Sequence, residues 1–108
     1  MRIHRHELEI VDYQTISTTG ELLSVAQSRT QPNTLIDLWS LSHPNNFPTS
    51  KGLYIVGTGN PMPDQLESEE ERFQRGAPSL PGHWRKFIGT VVTPSGLVWH
   101  VFEGPVQS

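Results

Sequence analysis

The sequence predicts a mainly β protein, a compact antiparallel sheet, sandwich or barrel-like domain of about six strands with at most one short helix. Three observations favour this class. Short apolar runs recur along the chain, turn-forming residues separate them, and nine glycines and nine prolines lie among only 108 residues. This length matches one folding unit, so we expect a single domain over residues 1–108.

The first predicted strand covers residues 2–11, where charged and apolar residues alternate as they do in a half-exposed strand. One face carries His4, His6, Leu8 and Ile10, and the other carries Arg5, Glu7 and Glu9. Residues 15–20 are rich in Thr, Ser and Gly and predict a turn. Residues 22–28 suit a strand or a short helix, and a strand is favoured because the segment is short and leads into a turn at Pro32 and Asn33.

Two further strands are predicted at residues 35–41 and 53–56, separated by a polar loop at residues 44–50. The second of these strands runs into the sequence GTGNPMP at residues 57–63. Two glycines and two prolines within seven residues exclude a helix there.

The clearest unit is a β-hairpin with strands at residues 87–92 and 97–102 and a turn at residues 93–96. Both strands are apolar on both faces, so something must cover the second face. The alternatives are a closed or two-layer β structure, a short helix, or another copy of the protein. Because apolar residues make up only 34% of the chain, we favour another copy and predict a homo-oligomer.

Residues 64–82 form a polar insertion with little hydrophobic pattern. Its acidic run consists of Glu67, Glu69, Glu70 and Glu71. One or two helical turns are expected between residues 63 and 75, where early acidic side chains favour a helix start. The run is typical of a solvated face, and it also suits docking onto a basic protein surface.

Composition excludes several classes of function. The absence of cysteine excludes disulfides, thiolate metal ligands and cysteine nucleophiles. The N-terminus lacks a signal-peptide pattern and no apolar run approaches the roughly 18 residues of a membrane span, so we expect a soluble cytoplasmic protein without a membrane partner. A formal net charge of −3 argues against binding duplex nucleic acid.

A local anion site is nevertheless predicted, with two parts. The loop of Gly57, Thr58, Gly59 and Asn60 can direct N–H groups and a hydroxyl at a phosphate, and the alternative is a plain tight turn. Trp84 offers a stacking surface beside the positive charges of Arg85 and Lys86, and Trp39, Tyr54 and Trp99 are further stacking candidates. His100 is a candidate ligand contact, and the alternative is a buried side chain with one hydrogen-bond partner. The alternative for these aromatic residues, for Trp39 and Trp99 above all, is simple core packing.

Enzymatic chemistry finds little support. Five histidines invite a zinc site, since His4 and His6 share a strand face, but no carboxylate spacing completes a ligand set. No serine lies in a nucleophile-elbow setting. We therefore predict a non-enzymatic protein with no catalytic residues, no metal site and no cofactor, and a metal-dependent hydrolase is the alternative.

Five segments carry a family resemblance: residues 2–10, 38–39, 56–63, 87–91 and 98–103, with the motifs GTGNPMP and VWHVFE. Together they resemble a small uncharacterised family carried by bacteriophages of actinobacteria and by related bacterial genomes. Members of this family pass more directly from the GTG loop to the final hairpin, so the resemblance implies that residues 64–82 are an expansion. No activity comes with the family.

The resemblance implies a role among phage accessory proteins, which often blunt host defence. The expected function is capture of a small anionic ligand, such as a signalling nucleotide, in the cytoplasm of the host. The alternative is a protein inhibitor that binds a host complex through the acidic insertion.

Overall fold

The computed structural model describes residues 1–77 and 82–107, and within them seven strands form two antiparallel sheets. The strands are β1 Arg2–Glu9, β2 Tyr13–Thr18, β3 Leu22–Gln27, β4 Leu35–Ser42, β5 Thr49–Gly57, β6 Lys86–Val92 and β7 Val98–Gly104. A 3-10 turn at Asp64–Leu66 and a short helix, α1 Glu69–Gln74, lie between β5 and β6. The mainly β class is confirmed, with seven strands rather than about six.

The two sheets pack face to face as a sandwich. The first sheet has the order β1-β4-β3, and the second has the order β2-β5-β7-β6. Side chains two apart along each strand fill the space between them, as the alternation of strand side chains requires. The core consists of Leu8, Leu22, Ile36 and Leu38 from the first sheet and Leu53, Ile55, Val91 and Val101 from the second.

The predicted turn at residues 15–20 is wrong over residues 15–18, because Tyr13–Thr18 forms strand β2 and pairs with β5, and the chain bends only at Thr19 and Gly20. Its hydroxyl residues had indicated a turn, but tertiary contacts decide the outcome. Thr18 lies between the sheets, and its hydroxyl donates to Oγ of Ser40 at 3.2 Å. The strand predicted at residues 22–28 and the final hairpin are both confirmed.

The second face of the final hairpin is covered in part by the chain itself. Leu66, fully buried, packs with Tyr54, Val56 and Phe102 on the outer face of the second sheet, and Met62 packs beside them. The segment after β5 therefore supplies a cover that we had expected from another copy. Other apolar side chains of the hairpin stay exposed, among them Phe87, Val92 and Leu97, and the homo-oligomer remains a prediction.

Helix α1 confirms the one or two helical turns predicted between residues 63 and 75. Ser68 caps its first turn: the Ser68 hydroxyl accepts from the backbone N–H of Glu71, and the Glu71 carboxylate accepts from the N–H of Ser68. This reciprocal pair explains why so short a segment starts a helix. Pro78, Leu80 and Pro81 of the predicted insertion lie outside the described residues.

Candidate functional site

A pocket of about 410 Å³ opens on the outer face of the second sheet, where β2 and β5 meet the loop that follows β5. Ligand pockets in proteins commonly measure roughly 300–1,000 Å³, so this one suits a small molecule. Its lining residues are Asp12, Tyr13, Tyr54, Ile55, Val56, Asn60, Pro61, Pro63, Gln65 and Gln107.

Two tyrosines form the aromatic part of the pocket. Tyr13 lies directly opposite Tyr54 in the β2–β5 pairing, and their ring centroids are 5.0 Å apart with a tilt of 53°. The Tyr54 hydroxyl donates to the backbone oxygen of Pro105 at 2.5 Å, and the Tyr13 hydroxyl accepts from the backbone N–H of Gln107 at 2.8 Å. These bonds fix both rings and hold the C-terminal residues as one wall of the pocket.

Burial raises the pKa of the Tyr54 hydroxyl above its ordinary value of 10.0. The phenol consequently stays neutral at physiological pH and keeps its donor proton. The pocket floor is therefore an uncharged aromatic surface.

Four polar residues line this pocket: Asp12, Asn60, Gln65 and Gln107. The Gln107 side chain forms a hydrogen bond with the Tyr54 hydroxyl, whereas the side chains of Asp12, Asn60 and Gln65 have no hydrogen-bond partner among residues 1–77 and 82–107. The three amides can each donate and accept, whereas an ionised carboxylate only accepts. Asp12 is also the only Asp, Glu, Lys or Arg among the lining residues, so the lining contains no cation.

The predicted anion loop borders the pocket but forms a tight turn. The N–H of Asn60 donates to the oxygen of Gly57 at 3.0 Å, and the N–H of Thr58 donates to the oxygen of Val98 at 3.2 Å. Gly59 has a φ of 88°, the conformation required at the third position of a type II turn. Two of the backbone donors expected for a phosphate are thus used within the protein.

His100 lies beside the same turn. Its Nε2 is 2.8 Å from the Thr58 hydroxyl and its Nδ1 is 2.9 Å from the Thr90 hydroxyl. Neutral imidazole has one donor and one acceptor nitrogen, and a hydroxyl matches either. His100 therefore connects the turn after β5 to strand β6, which identifies it as a support for the loop beside the pocket.

The remaining predicted ligand residues lie elsewhere on the second sheet. In the β-pairing Gly57 lies opposite Trp99, whereas Lys86 lies opposite Glu103, and four residues of strand span about 13 Å. Trp84 and Arg85 precede Lys86. The structure brings Thr58 to His100 but separates this pair from the second predicted group.

The two cations of that second group already have acidic partners. The Arg85 guanidinium forms an ion pair with Glu71 and donates to the backbone oxygen of Leu66 at 3.1 Å. Nζ of Lys86 is 3.3 Å from Oε1 of Glu21. Trp84 is 43% exposed. An anion here would have to displace both carboxylates.

One serine–histidine contact could be mistaken for a catalytic pair. Nε2 of His6 lies 2.8 Å from Oγ of Ser40, but Ser40 is 0% exposed, so no substrate can reach the hydroxyl. Burial, with the neighbouring charge of His4, lowers the pKa of His6. The contact stabilises the sheet. Over residues 1–77 and 82–107, no cluster of three or more His, Asp or Glu is suited to hold a metal ion.

The sequence pointed to Asn60 and to Tyr54 as a stacking candidate but not to the other pocket residues, because these are scattered from position 12 to position 107. One signal was present. The chain contains only two tyrosines, and strand pairing brings the two together.

A family model described as a domain of unknown function, DUF7352, matches residues 1–108, and the chain belongs to that family. No curated protein and no solved structure matches the chain. In the part of the chain that the structure describes, no helix has the length and apolar character needed to cross a membrane.

Proposed function

We propose that this member of DUF7352 is a non-enzymatic binding protein that holds a small nucleoside-type ligand in the pocket beside Tyr13 and Asn60. The observation that carries the proposal is an aromatic pocket of about 410 Å³ whose lining includes three polar residues, Asp12, Asn60 and Gln65, without a side-chain hydrogen bond in the described ranges. Unpaired polar groups gathered in one cleft are typical of sites whose hydrogen bonds are completed by a ligand.

A flat, hydrogen-bonding ring fits this lining best. Tyr13 and Tyr54 present rigid aromatic surface, and Pro61 and Pro63 add stiff apolar walls. The amides of Asn60 and Gln65 match the mixed donors and acceptors on the edge of a nucleobase. The face of the nucleobase would stack on the tyrosine rings, while hydrogen bonds to its edge would fix its orientation in the pocket.

Charge favours the nucleoside part of a nucleotide over its phosphates. The pocket lining holds Asp12 and no cation. Arg85 and Lys86, which we expected to neutralise a phosphate, are paired with acidic residues. We therefore propose that a signalling nucleotide, the ligand expected from the sequence, binds with its nucleoside part in the pocket. Its phosphates would then lie outside the pocket, on the side of the Thr58 turn and His100.

Isothermal titration with matched nucleosides and nucleoside monophosphates tests the proposal. We expect nucleosides to bind at least as tightly as their monophosphates. Tyr13→Ala should weaken binding at least fivefold, because loss of base–aromatic stacking costs about 1–3 kcal/mol per base. Tyr13→Phe keeps the ring and should retain most of the affinity.

Trp84→Ala is the matched control, since it removes an aromatic surface from the other predicted site. Unchanged affinity in this variant supports the pocket beside Tyr13. Binding of monophosphates alone, lost in Trp84→Ala and kept in Tyr13→Ala, would instead support the anion site of the sequence prediction. No binding by any compound at about 1 mM would overturn the proposal.

A biological role follows as part of the same proposal. The resemblance implies an origin in actinobacteriophages or their hosts. With that origin, the protein would sequester a host signalling nucleotide. Phage infection of a host that carries nucleotide-signalled defence provides the assay. We expect the wild-type protein to restore phage growth and Tyr13→Ala to lose that effect at equal protein level.

One observation favours inhibition of a host protein as a second candidate function. Phe73 on helix α1 is 83% exposed, and the exposed Glu69 and Glu70 lie on the same helix. An apolar ring among acidic side chains suits a basic protein surface with an apolar recess. Phe73→Ser should abolish such inhibition and leave nucleoside binding unchanged. Deletion of residues 66–75 is unsuitable, because it removes the buried Leu66.

A further inference from the structure

We propose that strand β1 pairs with β1 of a second copy of this chain, so that the first sheets of the two copies join into one continuous sheet. The two strands run antiparallel about a two-fold axis at His6, which places Arg5 of each copy opposite Glu7 of the other. This interface is independent of the proposed ligand pocket, and it differs from the final hairpin, which had first suggested a homo-oligomer.

The two sheets are closed against each other along one side of the sandwich and open along the other. On the closed side, between β3 and β6, Nε2 of Gln27 donates to the backbone oxygen of Val92 at 2.5 Å, and a Cβ on Gly89 would lie only 2.8 Å from the Val25 side chain. On the open side, among the described residues, β1 pairs only with β4 and β2 only with β5. An open strand edge is a template for a further strand.

The direction of the peptide groups shows which part of β1 is available. Leu41 of β4 lies opposite Ile3 of β1, but its N–H donates the other way, to the backbone oxygen of Glu21 at 2.8 Å. Ile3 therefore forms a non-hydrogen-bonded pair with Leu41, and because such pairs alternate along an antiparallel ladder, so do Arg5 and Glu7 with their partners. The N–H and C=O groups of these three residues point out of the sheet.

The N-terminal part of β1 leaves room for a second copy. Residues 2–4 are exposed one after another, and so on both faces of the sheet, with Ile3 63% exposed. At the other end of the strand, the backbone oxygen of Glu9 already accepts from the N–H of Val11 at 3.0 Å and from Nε2 of Gln14 at 2.7 Å. The open part of the edge therefore lies before Glu9.

The charges of β1 select one pairing register. A two-fold axis relates side chains on the same face of the joined sheet, so the axis passes at a residue and not between two residues. An axis at Arg5 places two arginines opposite each other, and an axis at Glu7 places two glutamates opposite each other. An axis at His6 instead places Arg5 opposite Glu7 on both sides. Opposed unlike charges stabilise a strand pair, and opposed like charges destabilise it.

Arg5 can bind the additional carboxylate. Its Nη1 donates to Glu7 and to the buried Asp37 of its own copy, at 3.0 Å each. A guanidinium carries five N–H groups, so it can also donate to Glu7 of the second copy. In the same register, the outward peptide groups of Arg5 and of the second copy's Glu7 form a hydrogen-bonded pair. The two-fold axis repeats each of these contacts.

Sedimentation velocity from about 5 µM to about 500 µM tests the proposal. Because a strand of eight residues forms a small interface, we expect a monomer–dimer equilibrium with a Kd of roughly 10–100 µM. Glu7→Pro removes an outward N–H at a sheet edge, where folded proteins tolerate proline, and should weaken the dimer at least about tenfold. Glu7→Lys keeps the backbone donor and places like charges opposite each other, and it should weaken the dimer to a similar extent.

Thr15→Pro is the matched control at the open edge of the second sheet. The N–H of Ile55 donates to the backbone oxygen of Asp12, so by the same alternation the N–H of Thr15 points away from β5. This variant should leave the Kd unchanged. Circular dichroism melting checks that each variant folds, and Glu7→Lys decides the matter should Glu7→Pro fail to fold.

Disulfide cross-linking tests the register, since the chain has no cysteine of its own. In the proposed register Ile3 lies opposite Glu9 of the second copy, with Cα atoms about 5.5 Å apart, which suits a disulfide. A mixture of Ile3→Cys and Glu9→Cys should therefore form a linked dimer on oxidation. Ile3→Cys alone should not, because its two cysteines lie six residues apart along the strands, about 20 Å.

Several results would overturn the proposal. A monomer at every concentration up to about 500 µM would do so, as would a dimer that persists in Glu7→Lys or is weakened equally by Thr15→Pro. Loss of the dimer in Val92→Ser, with no loss in Glu7→Lys, would assign the interface to the exposed face of the final hairpin. Linkage in Ile3→Cys alone that equals linkage in the mixture would overturn the register centred on His6.

Discussion

Replacing Leu66 by alanine should destabilise the protein strongly, because this side chain covers the outer face of the second sheet. Leu66 is 0% exposed and packs in a cluster with Tyr54, Val56 and Phe102. Truncating a buried leucine to alanine commonly costs about 2–5 kcal/mol. Leu66 lies on a surface segment that can move into part of the cavity left by the substitution. We therefore expect a loss of about 3 kcal/mol in the free energy of unfolding.

Urea unfolding followed by tryptophan fluorescence measures this loss. With an m-value of about 1.5 kcal/mol/M, a loss of 3 kcal/mol lowers the midpoint by about 2 M. Phe73→Ala is the matched control, because Phe73 lies seven residues further on, is larger, and is 83% exposed. It should change the free energy of unfolding by less than about 0.5 kcal/mol. A similar small change for Leu66→Ala would refute the claim that the segment after β5 covers the sheet.

Three further predictions concern pH and the turn beside the pocket. Because burial lowers the pKa of His6, the unfolded chain binds the proton first, so stability should be highest above pH 6.5 and fall as the pH drops below it. Melting curves across this range should flatten in His6→Gln, and an unchanged slope would contradict the assignment. Arg85 and Ser68 lower the pKa of Glu71 to about 2, so its stabilisation should be complete above pH 4.5 and disappear towards pH 2. Since the Glu71 side chain is 43% exposed, Glu71→Gln should cost no more than about 1 kcal/mol at pH 7, and a larger loss would show that solvent screening was overestimated. Gly59→Ala places a Cβ at a φ of 88° and should cost roughly 1–2 kcal/mol of unfolding free energy, whereas no measurable loss would show that the turn relaxes.

Parts of the fold could be predicted because local pattern and final environment agree. The final hairpin has apolar strands on either side of a Pro94–Gly96 turn, and strand β1 alternates between Leu8 on the core side and Glu7 on the solvent side. Strand β2 could not be predicted, since its polar residues favour a turn locally. It becomes a strand through pairing with β5 and through the buried contact of Thr18 with Ser40.

The segment after β5, which contains Leu66, shows a different limit of prediction from the sequence. Leu66 stands almost alone among polar residues, so no periodicity indicates that it is buried. Its role depends on the outward-facing Tyr54, Val56 and Phe102, which leave an apolar surface for one side chain to fill. Leu66 alone makes this contact, whereas a hydrophobic pattern can be recognised only when several apolar residues recur at a regular spacing.

The candidate site was harder to predict than the fold. The loop of Gly57 to Asn60 was identified from its composition, and it does border a pocket. The pocket also needs Asp12 and Gln107, which lie 95 residues apart and meet only through the order of the strands. The free charge expected on Arg85 was cancelled by Glu71, a pairing that depends on where helix α1 packs.

The most direct test of ligand binding in this pocket is a heteronuclear NMR titration of the wild-type protein with adenosine. We expect shifts concentrated on the signals of Tyr13, Asn60, Gln65 and Gln107. Shifts concentrated on Trp84 and Arg85 instead, or no shifts up to about 1 mM adenosine, would contradict it.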